Sequence, residues 1–242
     1  MFLFFGIFRK LVYVVLVLAI PVIAGEFIAR SLLGDAVNSA IVSRIGGKAQ
    51  VGFGTTPVLL QLANGHLSDV SVSESKAQIG GLPTLAFNAT LDDVHLSSIT
   101  HLEGGIGSIT LTAHLDAHAV RDLLATPTCV DSLPPGVLDG LTEQPRVKIA
   151  PGHIALLPPH GSAVDLHLFA AVAGGAIIFH ATSLSLDGKR APAATLTAAS
   201  GAINCARGVQ NLPFNLQLKS TSTRPGLLDV QFAATNASFS AS

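Results

Sequence analysis

In five stretches of this chain apolar residues recur at every second position, and this pattern indicates its type of fold. From Ile109 to Leu115, every second residue is apolar, and Thr or His lies between. A period of two places the apolar side chains on one face of a strand. The chain is therefore expected to form an extended antiparallel sheet with one apolar face. The other stretches with this pattern are 85–91, 164–170, 214–218 and 228–232.

The alternation breaks at Asp92-Asp93. Apolar residues occupy odd-numbered positions up to Leu91 and even-numbered positions at Val94 and Leu96. One extra residue in a strand produces such a change of face. A β-bulge is therefore expected at this point, and it would bend the sheet.

Two segments have helical periodicity. Between residues 28 and 45, apolar residues recur near helical spacing until Gly46-Gly47 ends the pattern, which predicts an amphipathic helix. A second helix is predicted from Asp116 to Ala125, and Pro127 is expected to end it. The expected fold class is α+β, with an extended, curved antiparallel sheet wrapped on one or two helices.

A connection rich in proline and glycine, from Leu133 to Pro145, separates two strand-rich parts of the chain. The chain that follows the N-terminal apolar segment is long enough for one large domain or two small ones. A single domain over residues 26–242 is expected. A division into halves at 26–130 and 145–242 is the alternative.

The N-terminus has the composition of an export signal. Arg9 and Lys10 precede an uncharged, apolar stretch from Leu11 to Gly25. As a helix this stretch would be roughly 22 Å long, shorter than the ~30 Å hydrocarbon core of a bilayer. Length favours a signal peptide over residues 1–25, cleaved after Ala24, and an uncleaved signal anchor is the alternative. In both cases the rest of the chain is expected in the cell envelope, in the periplasm or at the outer face of the cytoplasmic membrane.

Composition excludes two classes of function. Hydrophobic residues make up 49% of the chain and charged residues 12%, so the chain has ample material for a core. The 14 basic residues are balanced by 15 acidic ones and form no basic run, which excludes nucleic acid as a partner. No second apolar stretch is long enough to span a bilayer, which excludes a multi-span membrane protein.

The two cysteines, Cys129 and Cys205, are expected to form a disulfide. Outside the cytoplasm a pair of cysteines is more often joined than free. A nucleophilic cysteine is the alternative, but the residues around Cys129 supply no cationic partner for a thiolate, and Arg207 is the one such residue near Cys205.

Strong catalytic, cofactor and metal motifs are absent from the sequence, so neither a cofactor nor a metal is expected. The best catalytic candidates are His114, Asp116 and His118, which would share one side of a continuing strand. Imidazoles and a carboxylate on one face could act as a base with its orienting acid, or bind a divalent metal. The alternative is a solvated strand face that leads into a helix capped by Asp116. Ser162 is a nucleophile candidate by proximity to His160 alone, in what is otherwise a simple turn.

Several segments resemble a known family. Gly52-Phe53 is followed by a Leu60-Gln61-Leu62 step, by Gly65, and by Asp69 before alternating valines. Similar agreement continues at 91–96, 211–216 and 226–230. Over most of residues 26–239 the chain resembles the actinobacterial LmeA-like, or lipomannan elongation maintenance, family of envelope proteins. It departs from the family pattern at 54–57, where Gly-Thr-Thr-Pro replaces a compact Gly-Phe-Pro turn.

The resemblance implies an exported protein that binds phospholipid or a lipid related to lipoglycans, and that supports maintenance of lipomannan and lipoarabinomannan. It also implies a curved sheet wrapped along a helix, similar to tubular lipid-binding folds, and phospholipase A activity has been attributed to a family member. The implied partners are membrane phospholipid or lipoglycan, and the cytoplasmic membrane through the N-terminal segment. No family catalytic residue matches a position in this chain.

Three functions are compatible with these observations. The first is a module that encloses acyl chains in an apolar groove, since each buried methylene contributes ~0.8 kcal/mol. The second is a phospholipase A-type ester hydrolase, and the third is a structural envelope protein without a ligand. The alternative role for each groove candidate is to fill the core. The candidate groove residues are Phe53, Leu59, Leu60, Leu62, Leu85, Phe87, Phe214 and Leu216.

Overall fold

The structure is a computed structural model that describes residues 23–35, 37–38, 49–75, 78–98, 103–124, 146–157, 164–202, 206–209 and 211–240. Within these residues the chain is rich in antiparallel strands and carries a few helices, which agrees with the α+β class predicted from the sequence. The expected single sheet is replaced by two main sheets and a small hairpin.

In the described part of the chain, the first sheet has seven strands in the order β1-β3-β6-β7-β15-β14, with β2 also paired to β6. The apolar alternation at 87–91, 109–115 and 228–232 falls in its three longest strands, as predicted, whereas Leu85 lies just before the strand and is exposed. Its strands are β1 (Gln50–Gly52), β2 (His66–Leu67), β3 (Val70–Ser75), β6 (Ala86–Ser98), β7 (Glu103–Asp116), β14 (Gln217–Arg224) and β15 (Leu227–Ser240).

The second sheet, again within the described residues, has the order β12-β11-β10-β9-β8, with β13 paired to β11. A separate hairpin joins β4 (Gln78–Ile79) to β5 (Leu82–Pro83). The strands of the second sheet are β8 (Arg146–Ala150), β9 (His153–Leu157), β10 (Val164–Ala173), β11 (Ala176–Leu186), β12 (Lys189–Arg190) and β13 (Ala206–Gly208).

The predicted helices form where the sequence has helical periodicity. Helix α1 covers residues 23–35, and residues 37–38 are also helical; the rest of the expected helix up to residue 45 lies outside the described residues. Helix α3 (Ala117–Leu124) begins where predicted, because the Asp116 carboxylate accepts a hydrogen bond from the backbone N–H of Ala119 (2.8 Å). The remaining helices are α2 (Val58–Ala63) and α4 (Ala193–Ala202).

One predicted strand begins later than expected. Residues Pro213–Asn215 form a short 3-10 turn, and Phe214 has a left-handed backbone with φ +57°. Strand β14 starts only at Gln217. Because β14 and β15 both belong to the first sheet, the boundary between the sheets does not coincide with the connection at 133–145.

One hydrophobic core contains buried side chains from both sheets. Phe87 and Phe232 from the first sheet and Phe179 from the second are its largest fully buried side chains. The edge of the first sheet is fastened to the second at β14, where the Thr221 hydroxyl donates to the carbonyl of Ala170 (2.9 Å). Helix α3 packs against β7 and β8, so it contacts both sheets.

The break in alternation at Asp92-Asp93 is real, but it is not a bulge in one strand alone. Asp93 has a left-handed backbone (φ +60°), and Asn236 of β15 has the same conformation (φ +54°). Strand β7 lies between them, and its apolar side chains change from one face of the sheet to the other at Gly107. The pairing of β7 with β6 and with β15 therefore continues past this level without a shift in register. We call this line of three residues the face switch.

The expected export segment falls mostly on residues 1–22, which lie outside the described residues. Ala24 and Gly25, at the expected cleavage site, belong to helix α1. In the described part of the chain, no helix combines the length and the apolar character needed to cross a membrane.

Candidate functional site

Helix α1 is fixed to α2 by one carboxylate. The two oxygens of Glu26 accept hydrogen bonds from the backbone N–H groups of Val58 (2.7 Å) and Leu59 (3.0 Å) at the start of α2. Pro57, at the N-cap of α2, provides no side-chain hydrogen bond, so Glu26 caps that helix from a distant part of the chain. Arg30 completes the junction, because its Nε lies 2.6 Å from Glu26 and its Nη2 3.3 Å from the carbonyl of Thr56.

These contacts lower the pKa of Glu26 from 4.5 to about 2. The backbone hydrogen bond from Leu59 contributes most, followed by the one from Val58 and then by the Arg30 side chain. All three favour the ionised carboxylate. The junction between α1 and α2 therefore depends on a charged Glu26.

The same junction exposes large apolar side chains. Leu59 packs beside Gly25, since a Cβ at Gly25 would lie 3.1 Å from Leu59 Cδ1. Ile28 follows Gly25 by three residues and Leu32 follows Ile28 by four, so they continue one row along the helix. We use the name apolar helix surface for this row together with the other large exposed apolar side chains of α1 and α2. It consists of Ile23, Phe27, Ile28, Leu32, Leu59 and Leu60, all exposed.

The opposite side of α1 faces the protein. Leu33 is buried, and Ala29 and Val37 pack against the core. Helix α1 therefore presents one apolar side to the domain and another to its surroundings. An apolar helix side that no other described part of the chain covers is typical of a contact with a lipid or a partner.

The eight groove residues proposed from the sequence divide into two groups. Phe53, Phe87 and Leu216 are buried in the core, and Leu62 and Phe214 are partly buried against it. Leu59 and Leu60 belong to the apolar helix surface, and Leu85 is exposed just before β6. The exposed group is the one that a ligand can reach without displacing core side chains, and a role for any of the eight in binding lipid stays a prediction.

The three catalytic candidates have different partners. His114 lies on the polar side of the first sheet, and its Nδ1 is 2.7 Å from Asp229 Oδ1 on the paired strand β15. Asp116 caps α3, and His118 lies on the exposed side of that helix, 3.5 Å from Asp122. A catalytic role for any of them stays a prediction.

His114 is the best-positioned base of the three. Arg224 Nε donates to the second oxygen of Asp229 (2.7 Å), and His114 Nε2 lies 3.0 Å from Asn88 Nδ2. The side chains of His114 and Asp229 are about one-seventh exposed, at 14% and 15%. A carboxylate that orients an imidazole is an arrangement used for proton transfer, yet both ring nitrogens already have protein partners here.

A second histidine cluster was not predicted from the sequence. His66 of β2 pairs directly with His95 of β6, and Asp93 of the face switch lies beside both rings. Strand β2 is only two residues long, so no periodic pattern indicates it. Within the described residues, this is the group of histidine and acidic side chains whose ligand atoms converge closely enough to hold a metal ion.

Two other sequence predictions lie outside the described residues. These are the expected disulfide between Cys129 and Cys205, and the nucleophile candidate Ser162. Both stay predictions.

A family model described as LmeA-like phospholipid-binding matches residues 24–233. The chain belongs to this family. The match begins in α1 and ends within β15, so it includes most of both sheets and all of the apolar helix surface except Ile23. It confirms the resemblance inferred from the sequence.

Curated relatives are uncharacterised mycobacterial proteins. Two strains of Mycobacterium tuberculosis and one of Mycobacterium bovis contain proteins 26% identical to this chain over 117 residues. The similarity covers 48% of this chain and 34% of each relative, so the chain spans about a third of their length. No solved structure matches the chain.

Proposed function

We propose that this protein binds phospholipid at a membrane surface, with the apolar helix surface in contact with acyl chains. Membership of a phospholipid-binding family supports a lipid ligand. The observation that carries the location is the exposed apolar side of α1 and α2. In the cell, this activity would take place in the envelope and support maintenance of lipomannan and lipoarabinomannan.

The exposure of these side chains supports a lipid ligand. Phe27, Leu32 and Leu60 are 71%, 65% and 57% exposed, so most of their apolar area contacts water. Covering such a side chain with hydrocarbon contributes about 1.5–3 kcal/mol. Three or four of them together would hold one acyl chain without a deep pocket.

The position of α1 supports a membrane as the source of that lipid. Helix α1 continues directly from the apolar stretch that follows Arg9 and Lys10. In the signal-anchor alternative, in which this stretch is not cleaved off, it would enter or cross the bilayer. The apolar helix surface would then lie at the level of the lipid headgroups and acyl chains, on the outer side of the cytoplasmic membrane.

Lipid retention by the purified full chain tests this function. The chain is extracted in a mild detergent, and native mass spectrometry counts the phospholipid molecules that stay bound. We expect retained phospholipid in the wild type and at least a tenfold lower occupancy in the double variant Leu32→Ser/Leu60→Ser, because each serine removes about 2 kcal/mol of apolar contact.

Phe169 provides the matched control. It is 48% exposed on β10, in the other sheet, and belongs to no helix surface. Phe169→Ser should leave lipid occupancy unchanged. A wild-type protein that retains no phospholipid would argue for the ligand-free structural alternative, and equal losses in both variants would show that the apolar helix surface is not the binding site.

Ester hydrolysis is a second candidate function, and the orientation of His114 by Asp229 is the observation in its favour. Fatty acid release from phosphatidylglycerol vesicles is the assay. If His114 is the base, His114→Gln abolishes release while His118→Ala does not. Release that persists in His114→Gln excludes this residue as the base.

A further inference from the structure

The cluster of His66, Asp93 and His95 lies on the outer face of the first sheet, close to the end of α2. His66 follows α2 after the two-residue turn Asn64-Gly65, and that turn is held to β6 by a hydrogen bond from Leu96 N–H to the carbonyl of Gly65 (3.3 Å). His66 and His95 are a directly opposed cross-strand pair. Opposed side chains on neighbouring strands point to the same face.

The three side chains converge on one point. His66 Nδ1 lies 2.7 Å from His95 Nδ1, and His66 Nε2 lies 2.9 Å from Asp93 Oδ1. His95 Nε2 is 3.4 Å from Asp93 Oδ2. One ligand atom from each residue can be chosen so that all lie within 4.8 Å of one another. Around a tetrahedral zinc ion, ligand atoms are about 3.3 Å apart, so only small side-chain rotations separate this arrangement from a coordination shell.

Hydrogen bonding satisfies the cluster only if one of the two imidazoles carries a second proton. The three contacts require three N–H groups, one for the pair of rings and one for each ring against the carboxylate. Two neutral imidazoles carry only two N–H groups. A cation among the three residues instead interacts with lone pairs from all of them and needs no further proton.

The face switch places Asp93 in this position. In a regularly alternating strand Asp93 would share the inward face with Leu91, whereas its left-handed backbone turns it outward beside His95. Gly107 leaves room for it, since a Cβ there would lie 2.8 Å from Asp93 Cβ. Left-handed backbone in a residue other than glycine is uncommon and concentrates at functional sites.

We propose that His66, Asp93 and His95 bind one divalent transition-metal ion of the zinc type. Two imidazoles and one carboxylate are a ligand set that suits zinc, whereas calcium and magnesium prefer ligands that are all oxygen. Three protein ligands leave a fourth position for water or for an oxygen atom of a bound molecule. The site is separate from His114, which lies near the other end of β7 and has its own partners.

Cobalt and zinc binding by the full chain tests this proposal. The protein is purified with a tag that contains no histidine and is freed of metal with a chelator. Titration with Co²⁺ should give one equivalent of uptake and a visible absorption band of tetrahedral type, and Zn²⁺ should displace the cobalt. We expect His66→Ala and His95→Ala each to weaken binding at least tenfold.

Asp93→Asn separates the loss of a ligand from misfolding. Asparagine adopts the left-handed backbone as readily as aspartate and has nearly the same shape, so this variant should keep the wild-type circular dichroism spectrum while it loses affinity. Normal cobalt affinity in Asp93→Asn would remove the carboxylate from the site and overturn the proposal as stated.

His153 and His167 supply the matched control. They also form an imidazole pair beside a carboxylate, that of Asp165, at nearly the same centroid distance (4.6 Å against 4.5 Å), but their rings are stacked, with 15° between the planes against 33° for His66 and His95. Stacked rings direct their nitrogen lone pairs side by side and not to one point. His153→Ala should leave cobalt binding unchanged. An equal loss in His153→Ala and His66→Ala, or no uptake by the wild type, overturns the proposal.

Discussion

Glu26 connects the N-terminal helix to the rest of the domain through charge. Its pKa falls from 4.5 to about 2 because the N–H groups of Leu59 and Val58, and then Arg30, stabilise the carboxylate. A carboxyl group whose pKa is lower in the folded state stabilises that state above its unfolded pKa. This contribution is therefore fully present above about pH 4.5 and is lost as the pH falls towards 2.

Glu26→Gln should remove this pH-dependent contribution. We expect the variant to melt below the wild type at pH 7, and the difference between the two melting temperatures to shrink between pH 4.5 and 2. Thermal denaturation across that range measures it. Asp35→Asn, on an exposed carboxylate of the same helix, is the control and should leave the pH dependence unchanged. A constant difference between Glu26→Gln and wild type at all pH values would contradict this account.

Two adjacent glycines of β7 differ sharply in the space around them. A Cβ at Gly104 would overlap the carbonyl oxygen of His95, whereas one at Gly105 would lie 3.7 Å from its nearest neighbour. Gly104→Ala must therefore displace backbone and should cost about 1–3 kcal/mol of unfolding free energy. Gly105→Ala should cost nothing, or stabilise by about 0.5 kcal/mol, because alanine restricts the unfolded chain. Urea denaturation of both variants checks this, and equal midpoints would refute it.

The roles of single residues were only partly predictable from the sequence. The helix-capping role of Asp116 followed from its position before an apolar helical pattern. Glu26, in contrast, has the sequence pattern of a lone charge that ends an apolar stretch, because the two N–H groups that it caps are more than 30 residues away in the chain. Long-range contacts of this kind leave no local pattern, and the same is true of His66 and His95.

The face switch is a property of three neighbouring strands. At the level of Asp93, Gly107 and Asn236, each strand takes up one additional residue, so the apolar face continues while the register of pairing is kept. On β7, for example, Ile106 and Ile109 are both buried although three positions separate them. If only one strand changed face, its apolar residues beyond that level would point into water.

Asn236→Val tests the face switch against simple strand propensity. Valine favours strands in general, but at φ +54° its branched side chain clashes with the backbone, so we expect a loss of about 1–3 kcal/mol. Asn236→Gly should be tolerated within about 0.5 kcal/mol, because glycine adopts this backbone freely. Chemical denaturation compares the two.

Thr235→Val is the control for the same strand, since Thr235 is exposed and is not among the residues with positive φ. It should be neutral or slightly stabilising. If Asn236→Val is as stable as Thr235→Val, the left-handed backbone does not constrain this position.

The sequence indicated the break in β6 because three apolar residues, Leu91, Val94 and Leu96, define it. It did not indicate the matching breaks in β7 and β15. On β7 the residues near the break are mostly glycine and serine, and on β15 they are alanines. Such small residues do not show which face of the sheet they lie on. Strand alternation is readable only where large apolar residues mark one side.

Strand identity was the most predictable property of the whole molecule, and sheet membership the least. Four of the five alternating stretches form strands as predicted, because period-two patterning depends on local burial alone. The division into two sheets, and the return of β14 and β15 to the first sheet, depend on which apolar faces meet. That choice is made by tertiary packing.

The two sheets should unfold together. Their junction includes the hydrogen bond from Thr221 to Ala170, and the N–H of Gly226 donates to the carbonyl of Ile149 (3.0 Å). The apolar faces share one core, so damage on either side should weaken both sheets. This would make residues 26–242 a single cooperative domain.

Leu166→Ala in the second sheet and Phe232→Ala in the first test this directly, since both side chains are fully buried. Each should cost about 2–5 kcal/mol. Hydrogen exchange should show protection falling by the same free energy in peptides from both sheets, whichever residue is changed. If Leu166→Ala lowers protection only in β8 to β13 and leaves β6, β7 and β15 at the wild-type value, the sheets fold independently. The connection at 133–145 would then lie between two domains, and the C-terminal strands β14 and β15 would complete the first of them.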